Sequence, residues 1–243
     1  MPDFGFWSWP ETAVGGWAEA RGKAITIEAP TEDGGEGWGW ARKEEKLLWR
    51  GATMGLAVRD RLVNVTAGKE WADVETLDWR DKESLEQDLL GMHEHCRFKY
   101  LAHTEGNSYS GRLKYLQQCS SVVVTHPQVW ETHYSHLLRA AGRRQNFVNV
   151  RRDWGDLEAA IERLKMDDGF ARRVADNSVQ MFRDRYLTPA AEVCYWRRLF
   201  EAWREVSFEP EFYTNSSEGE GRRQRGVPWE SYMLERRLEW DPY

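Results

Sequence analysis

Cysteine is scarce. Cys96, Cys119 and Cys194 are three in a chain of 243 residues. They lie far apart and form no Cys-x-x-Cys, which argues against a disulfide framework or a structural zinc site and leaves room for one disulfide. No stretch approaches the roughly 20 apolar residues of a membrane-spanning helix. Basic charge is not in surplus: 34 Lys and Arg face 40 Asp and Glu, a formal net charge of -6. A protein whose main partner is nucleic acid needs the opposite balance, whereas a small basic pocket for one phosphorylated ligand is compatible with this one. The fingerprints GxxxxGK[ST], GxGxxG and GxSxG are missing. So is Asp-x-Asp, the clamp for a divalent metal and a nucleotide diphosphate. His93 and His95 stand two apart and face different ways on a helix, and His133 and His136 lack a third ligand, so no metal is expected.

What is abundant is tryptophan, 14 residues. Large rings most often fill cores. They also stack on sugars, so Trp7, Trp9, Trp17, Trp38 and Trp40 are candidates for carbohydrate contact. Met1–Trp17 is aromatic and Gly-rich and does not read as a signal peptide. Residues 1–45 read as a Trp/Gly-rich segment, mostly loop, with one short strand at Ala24–Glu28. Residues 46–206 alternate strands with helices. Strands are predicted at Lys46–Gly51, Asp73–Trp79, Phe98–His103, Ser121–Thr125 and Asn146–Val150. Helices are predicted at 56–65, Lys82–His95, Arg112–Cys119, Trp130–Ala141, Asp153–Met166, Asp168–Tyr186 and Pro189–Val206. This alternation implies an α/β fold with a parallel sheet covered on both faces. Residues 207–243 form a tail, with a polar, mobile loop at 214–226 and an apolar end, Val227–Tyr243, expected to dock back.

In such a sheet, ligands bind beyond the carboxyl ends of the strands. Two segments carry suitable chemistry there. Trp49-Arg50-Gly51-Ala52 ends a strand with an Arg and a Gly before a helix, where an anion can meet backbone N–H groups and a guanidinium. Lys99-Tyr100-Leu101-Ala102-His103-Thr104-Glu105-Gly106-Asn107-Ser108-Tyr109-Ser110-Gly111-Arg112-Leu113-Lys114 runs from a strand through a Gly/Ser loop into a helix. Ser108 or Ser110 suits its cap. Arg112 and Lys114 suit a diphosphate, and Glu105 suits sugar or ribose hydroxyls. Such a cradle would stabilise a departing nucleotide diphosphate electrostatically. On spacing alone, each segment reads equally well as a capped helix or turn with surface cations.

The second segment, continued through Tyr115-Leu116-Gln117-Gln118-Cys119-Ser120-Ser121-Val122-Val123-Val124, resembles the signature of glycosyltransferase family ninety. That family includes fungal capsule-associated xylosyltransferases and animal protein O-glucosyltransferases. The likeness extends to Phe6–Glu11, Leu48–Ala52, Asn146–Val148, Asp153–Leu157, Ala175–Ser178, Phe182–Pro189 and Cys194–Leu199, and is greatest to filamentous-fungal members. The resemblance implies a Rossmann-like domain, like the C-terminal donor-binding half of a GT-B glycosyltransferase. It implies transfer of glucose or xylose from a UDP-sugar to a protein or glycan hydroxyl, inverting and without a metal cofactor, in the secretory pathway. Arg50 and Gly51 fall on the family's Arg-Gly turn and Arg59 on the basic residue of the next helix. Gly106, Ser110, Arg112 and Lys114 fall on its nucleotide-sugar loop, with Arg112 at the diphosphate. Ser120 stands where the family often has Gly. The likeness starts near the family's midpoint, so the acceptor-side half with its Asp base is expected to be absent. None of Asp3, Glu11 or Glu105 matches that base. The alternative is an inactive module that binds carbohydrate or nucleotide-sugar.

Overall fold

The structure is a computed structural model and describes residues 1–9, 14–30, 35–81, 85, 88–209, 211–215, 222–227 and 229–235. Two compact units divide the chain, Met1–Cys194 and Tyr195–Tyr243.

In the first unit a small antiparallel pair, β1 (Ser8–Trp9) and β2 (Gly15–Gly16), precedes helix α1 (Trp17–Glu28). The expected strand at Ala24–Glu28 is therefore helix. Ile25, Thr26 and Ile27 are β-branched, but the buried positions are Trp17, Ala20 and Ala24, spaced at i, i+3 and i+7 along one helical face. Packing of that face outweighs the local β preference.

The main sheet follows. β3 (Glu44–Gly51) leads through α2 (Ala57–Thr66) to β4 (Ala72–Thr76), then to β5 (Phe98–His103), α3 (Leu113–Leu116), β6 (Val122–Thr125) and β7 (Val148–Asn149). All pairings are parallel, in the order β4-β3-β5-β6-β7. The helices α4 (Leu157–Met166) and α5 (Asp168–Ser178) come next. The chain then continues as a π-helical stretch, Val179–Tyr186, into α6 (Pro189–Val206). Alternate strand residues feed two cores. Leu47, Trp49, Tyr100, Val122 and Val124 pack with Leu62 of α2 and with α4 and α5. Leu48, Leu101 and Val123 pack with α1, α3 and Phe182. A sheet buried on both faces is what its near-continuous apolar strands require.

Two predicted helices are shorter than expected. Trp130–Ala141 holds only a 3-10 turn, Ser135–Leu137. Further along, the backbone departs from helical bonding: Leu138 N–H donates to Ser135 C=O, three residues back, and Arg139 N–H, which a helix would direct to Ser135 C=O, goes to the Asn146 side chain. Arg112–Cys119 contracts to α3. Of Lys82–His95, residues 82–84 and 86–87 lie outside the described residues, and the following turn is Glu94–Arg97. One disulfide, Cys96–Cys119, ties that turn to the end of α3, and Cys194 is free and exposed.

The second unit contains an antiparallel pair, β8 (Tyr213–Asn215) with β9 (Arg222–Gln224), and helix α7 (Trp229–Glu235). Residues 216–221 of the predicted mobile loop, and 228 and 236–243 of the segment expected to dock back, lie outside the described residues. Among the described residues no helix is long and apolar enough to cross a membrane.

Candidate functional site

In chain order the five parallel strands run second-first-third-fourth-fifth across the sheet, so the order reverses between β3 and β5. A crevice at such a reversal, outside the carboxyl ends of the strands, is where doubly wound sheets take ligands. The strand ends there are Gly51 and His103. Both predicted segments leave the sheet at this point.

Arg112 stands at the start of α3, and its guanidinium returns across Gly51. A Cβ on Gly51 would lie 3.1 Å from Arg112 Nη2 and 3.1 Å from the Trp49 ring. A side chain at position 51 would crowd both groups, and they would have to give by a few tenths of an ångström. The guanidinium also lies over the Trp49 ring, 5.8 Å from its centroid. Among the described residues no carboxylate pairs with it. Burial, and secondarily the charge of Arg59, push it down to about 10. Two further residues went unremarked as site candidates in the sequence. His95 and His103 are buried, and burial first, then Arg112, lower each to about 3, so both stay neutral. Each has a ring nitrogen without a partner.

Arg112 opens into a cavity of about 330 Å³. Arg50, Ser110, Gly111 and Tyr115 line it beside Arg112. Val14, Leu77, Trp79, Leu89, Leu90 and Met92 make its apolar wall. The wall comes from segments that read as a strand end and a helix, and no motif in them marked it out.

The other predicted residues divide. Arg59 joins the crevice rim, where it donates from Nε to Glu105 C=O and from Nη1 to Ala52 C=O, tying the two loops together. Gly106 lies beneath Met54 and Arg59, each 3.5 Å from where its Cβ would stand. Ser110 lines the cavity, whereas Ser108 is exposed, and neither side chain caps α3.

Three residues expected to meet ligand are committed elsewhere. Arg50 is a strut. Its Nη2 meets Asp73 at 2.6 Å, and its Nε donates to the backbone C=O of Asp88 at 3.1 Å, so it joins β4 to the cavity wall. Lys114 is fully buried and points to Asp3 at 2.8 and 3.1 Å, because α3 lies under the N-terminal turn. Glu105 is 1% exposed. Its Oε1 accepts the N–H groups of Val129 and Trp130, and its Oε2 meets Arg152 at 2.8 Å. Burial pushes its pKa up, but these bonds outweigh burial and hold it below the usual carboxylate range. Neither its oxygens nor those of Asp3 are placed to accept from a sugar. Glu11 lies outside the described residues. Among the described residues no three or more His, Cys, Asp or Glu converge on a metal position.

The five Trp candidates do not form one platform. Trp17 is buried, Trp38 is covered by Arg42 and Arg97, and Trp40 bonds Asp168 under Lys99. Trp7 is exposed, and the side chain of Trp9 lies outside the described residues.

Fold and crevice together define an α/β domain with two guanidinium groups at its switch point, Arg112 and Arg59, that no carboxylate pairs among the described residues, a setting that suits an anion. The sequence pattern of Glycosyl transferase family 90 matches residues 1–220, and the chain belongs to that family. It is similar to the O-glucosyltransferase rumi homolog of Aedes aegypti, 27% identical over 221 residues, covering 84% of this chain and 52% of that protein. It is also similar to Protein O-glucosyltransferase 1 of Homo sapiens, 25% identical over 219 residues, covering 83% and 52%. Protein O-glucosyltransferase 3 of Mus musculus is 25% identical over 193 residues, covering 75% and 37%. The chain thus spans about half the length, or less, of these relatives. Among solved structures, the C-terminal domain of a Glycosyl Transferase Group 1 Family Protein (LpcC) from Francisella tularensis overlaps 58% of this chain and 84% of its own. The TM-score is 0.39 and the identity 12%, too slight to support an argument.

Proposed function

We propose that this chain binds the donor for a glycosyltransferase that moves a sugar, glucose or xylose, from a UDP-sugar to a protein or glycan hydroxyl, with inversion. The names of the relatives favour glucose and a protein acceptor. One observation carries the reading: a guanidinium without a carboxylate partner, lying against a glycine at the switch point and opening into a cavity. As the sugar–phosphate bond breaks, negative charge grows on the departing diphosphate. A cation fixed beforehand in a poorly hydrated setting stabilises that charge without rearranging. We assign Arg112 this neutralising role and propose a reaction without a divalent cation. The base that takes the acceptor proton is not assigned, since Asp3 and Glu105 are engaged in ion pairs. The Cys96–Cys119 disulfide favours work in an oxidising compartment, in keeping with the secretory pathway.

Calorimetric titration of UDP into wild type and Arg112→Ala tests the assignment. Loss of a charge-assisted contact to phosphate amounts to about 1.5–3 kcal/mol, roughly 10- to 150-fold in Kd. Equal affinities, or no UDP binding by either protein, defeat the proposal.

A further inference from the structure

A second cavity, of about 560 Å³, lies at an edge of the main sheet. β7 is the edge strand there, whereas the crevice with Arg112 lies between β3 and β5. The two cavities share no lining residue. Gly142, Gln145, Asn149, Ala159, Arg163 and Phe170 are among those that line the second.

Cations gather around it. Arg163 lies over the Phe170 ring, 5.0 Å from its centroid, and Arg173 lies 5.3 Å from the same centroid. Arg143 and Arg144 stand in the chain between Gly142 and Gln145. All four arginines are exposed, and among the described residues none of them pairs with a carboxylate. The chain as a whole has a net charge of -6, so this patch runs against its balance. One carboxylate, Asp156, is in the lining, and its Oδ1 accepts Arg151 N–H at 2.8 Å. The arginine loop is held in advance. Gln145 N–H donates to Gly142 C=O, and Asn177 Nδ2 of α5 donates to the C=O groups of Arg143 and Gln145.

The strand edge adds backbone groups. Val150 N–H donates to Thr125 C=O of β6, and successive residues of a parallel strand turn their backbone groups to opposite sides. The N–H and C=O of Asn149 therefore face away from β6, where no described residue takes them. The next groups on that side are used: Phe147 C=O accepts from Gln145 Nε2, and Arg151 N–H goes to Asp156. The edge is thus open at one residue, amid arginines. Backbone pairing gives contact with an extended chain, and the cations select for acidic side chains on it.

We propose that this groove docks an extended acidic segment of a partner protein, with one backbone unit paired to Asn149 and carboxylates on Arg163 and the Arg143-Arg144 loop. The proposal does not depend on the donor reading of Arg112.

The probe is a synthetic peptide of three Glu-Val repeats, with its Lys-Val counterpart as control, titrated by calorimetry into the full chain at low salt. The acidic peptide is expected to bind and the basic one is not. Arg143→Glu combined with Arg144→Glu, and separately Ala159→Glu, should each weaken binding about tenfold or more, because like charges then meet. Ala159 is exposed, so its substitution spares the core. Methylating alternate backbone nitrogens of the peptide should cost about threefold to tenfold in one register and nothing in the other, the scale of one hydrogen bond. Absence of binding by the acidic peptide overturns the proposal, as do equal binding of both peptides and unchanged affinity in both variants. A heparin hexasaccharide that binds as tightly as the peptide, together with no effect of methylation in either register, would mark a general anion surface and overturn it too.

Discussion

An uncompensated, largely buried cation works against folding and for anion binding, so replacing Arg112 should move the two properties in opposite directions. Arg112→Met keeps the length and apolar stem of the side chain and removes the charge. The guanidinium is lowered from its ordinary value to about 10, mainly by burial. At about 1.4 kcal/mol per pH unit, that is roughly 3 kcal/mol against the charged form. The side chain is part-exposed, and solvent screening reduces the usable share to about 1–2 kcal/mol. Against this, the variant loses the cation–π contact with Trp49, about 0.5–1 kcal/mol. The expected net gain is about 1 kcal/mol, a rise in Tm of about 2–4 °C for a protein of this size. The sign with pH follows from a proton held less tightly in the folded state. The penalty is complete below about pH 10 and fades as pH rises from there toward the ordinary arginine range. The gain should therefore be constant between about pH 6 and 8. UDP should raise the Tm of wild type by mass action and leave that of the variant almost unmoved. Thermal melts with and without UDP supply both readouts. A variant that melts several degrees lower than wild type would show that the guanidinium serves the fold, and the reasoning would be refuted.

Two further tests concern the residues committed to structure. Asp3→Ala leaves the buried Lys114 ammonium without its carboxylate and is expected to cost about 3–5 kcal/mol in denaturant unfolding, while Asp3→Asn with Lys114→Met recovers most of it. Pyrophosphate affinity of that double variant should match wild type, and a large loss would return Lys114 to the binding site. Glu105 has a pKa held low in the folded state, so its contribution is present above the unfolded carboxylate range and is lost as pH falls through the lower folded value. Glu105→Gln should lower Tm at neutral pH and flatten its fall on acidification, and parallel acid limbs for the two proteins would contradict the ion pair with Arg152.

Much of the sheet was legible because strand signals here are local and strong. Phe98–His103 is a strand with the predicted bounds, and Val122–Thr125 differs by one residue. The second is a β-branched run, and the first sets Phe98 and Tyr100 beside Leu101 and Ala102, so both are short apolar stretches buried on two faces that need no partner to be read. Segments whose backbone groups are claimed by distant side chains were not legible. Trp130–Ala141 has a helical rhythm, but the Asn146 side chain, from beyond the segment, takes the Arg139 N–H that a helix would use. Ala24–Glu28 misled in the reverse sense, because Trp17, well before it, sets the buried face.

At the site, sequence alone determined that an Arg-Gly turn and a Gly/Ser loop with Arg112 each follow a strand of a parallel sheet, since strand rhythm fixes those positions; the order β4-β3-β5, which makes the two strands neighbours, came only with the fold. Only the tertiary structure decided which cations remain free. Arg112, Lys114 and Arg50 are alike in charge and in setting along the chain, but Asp3 and Asp73 neutralise two of them and no described carboxylate reaches the third. Ion pairing is decided by distances across the fold, and those distances are created when α3, the N-terminal turn and β4 come together. The apolar wall around Trp79 arises in the same way, from residues 77 and 89–92 brought to one cavity. Each of those residues is unremarkable along the chain, and only their convergence makes an apolar wall.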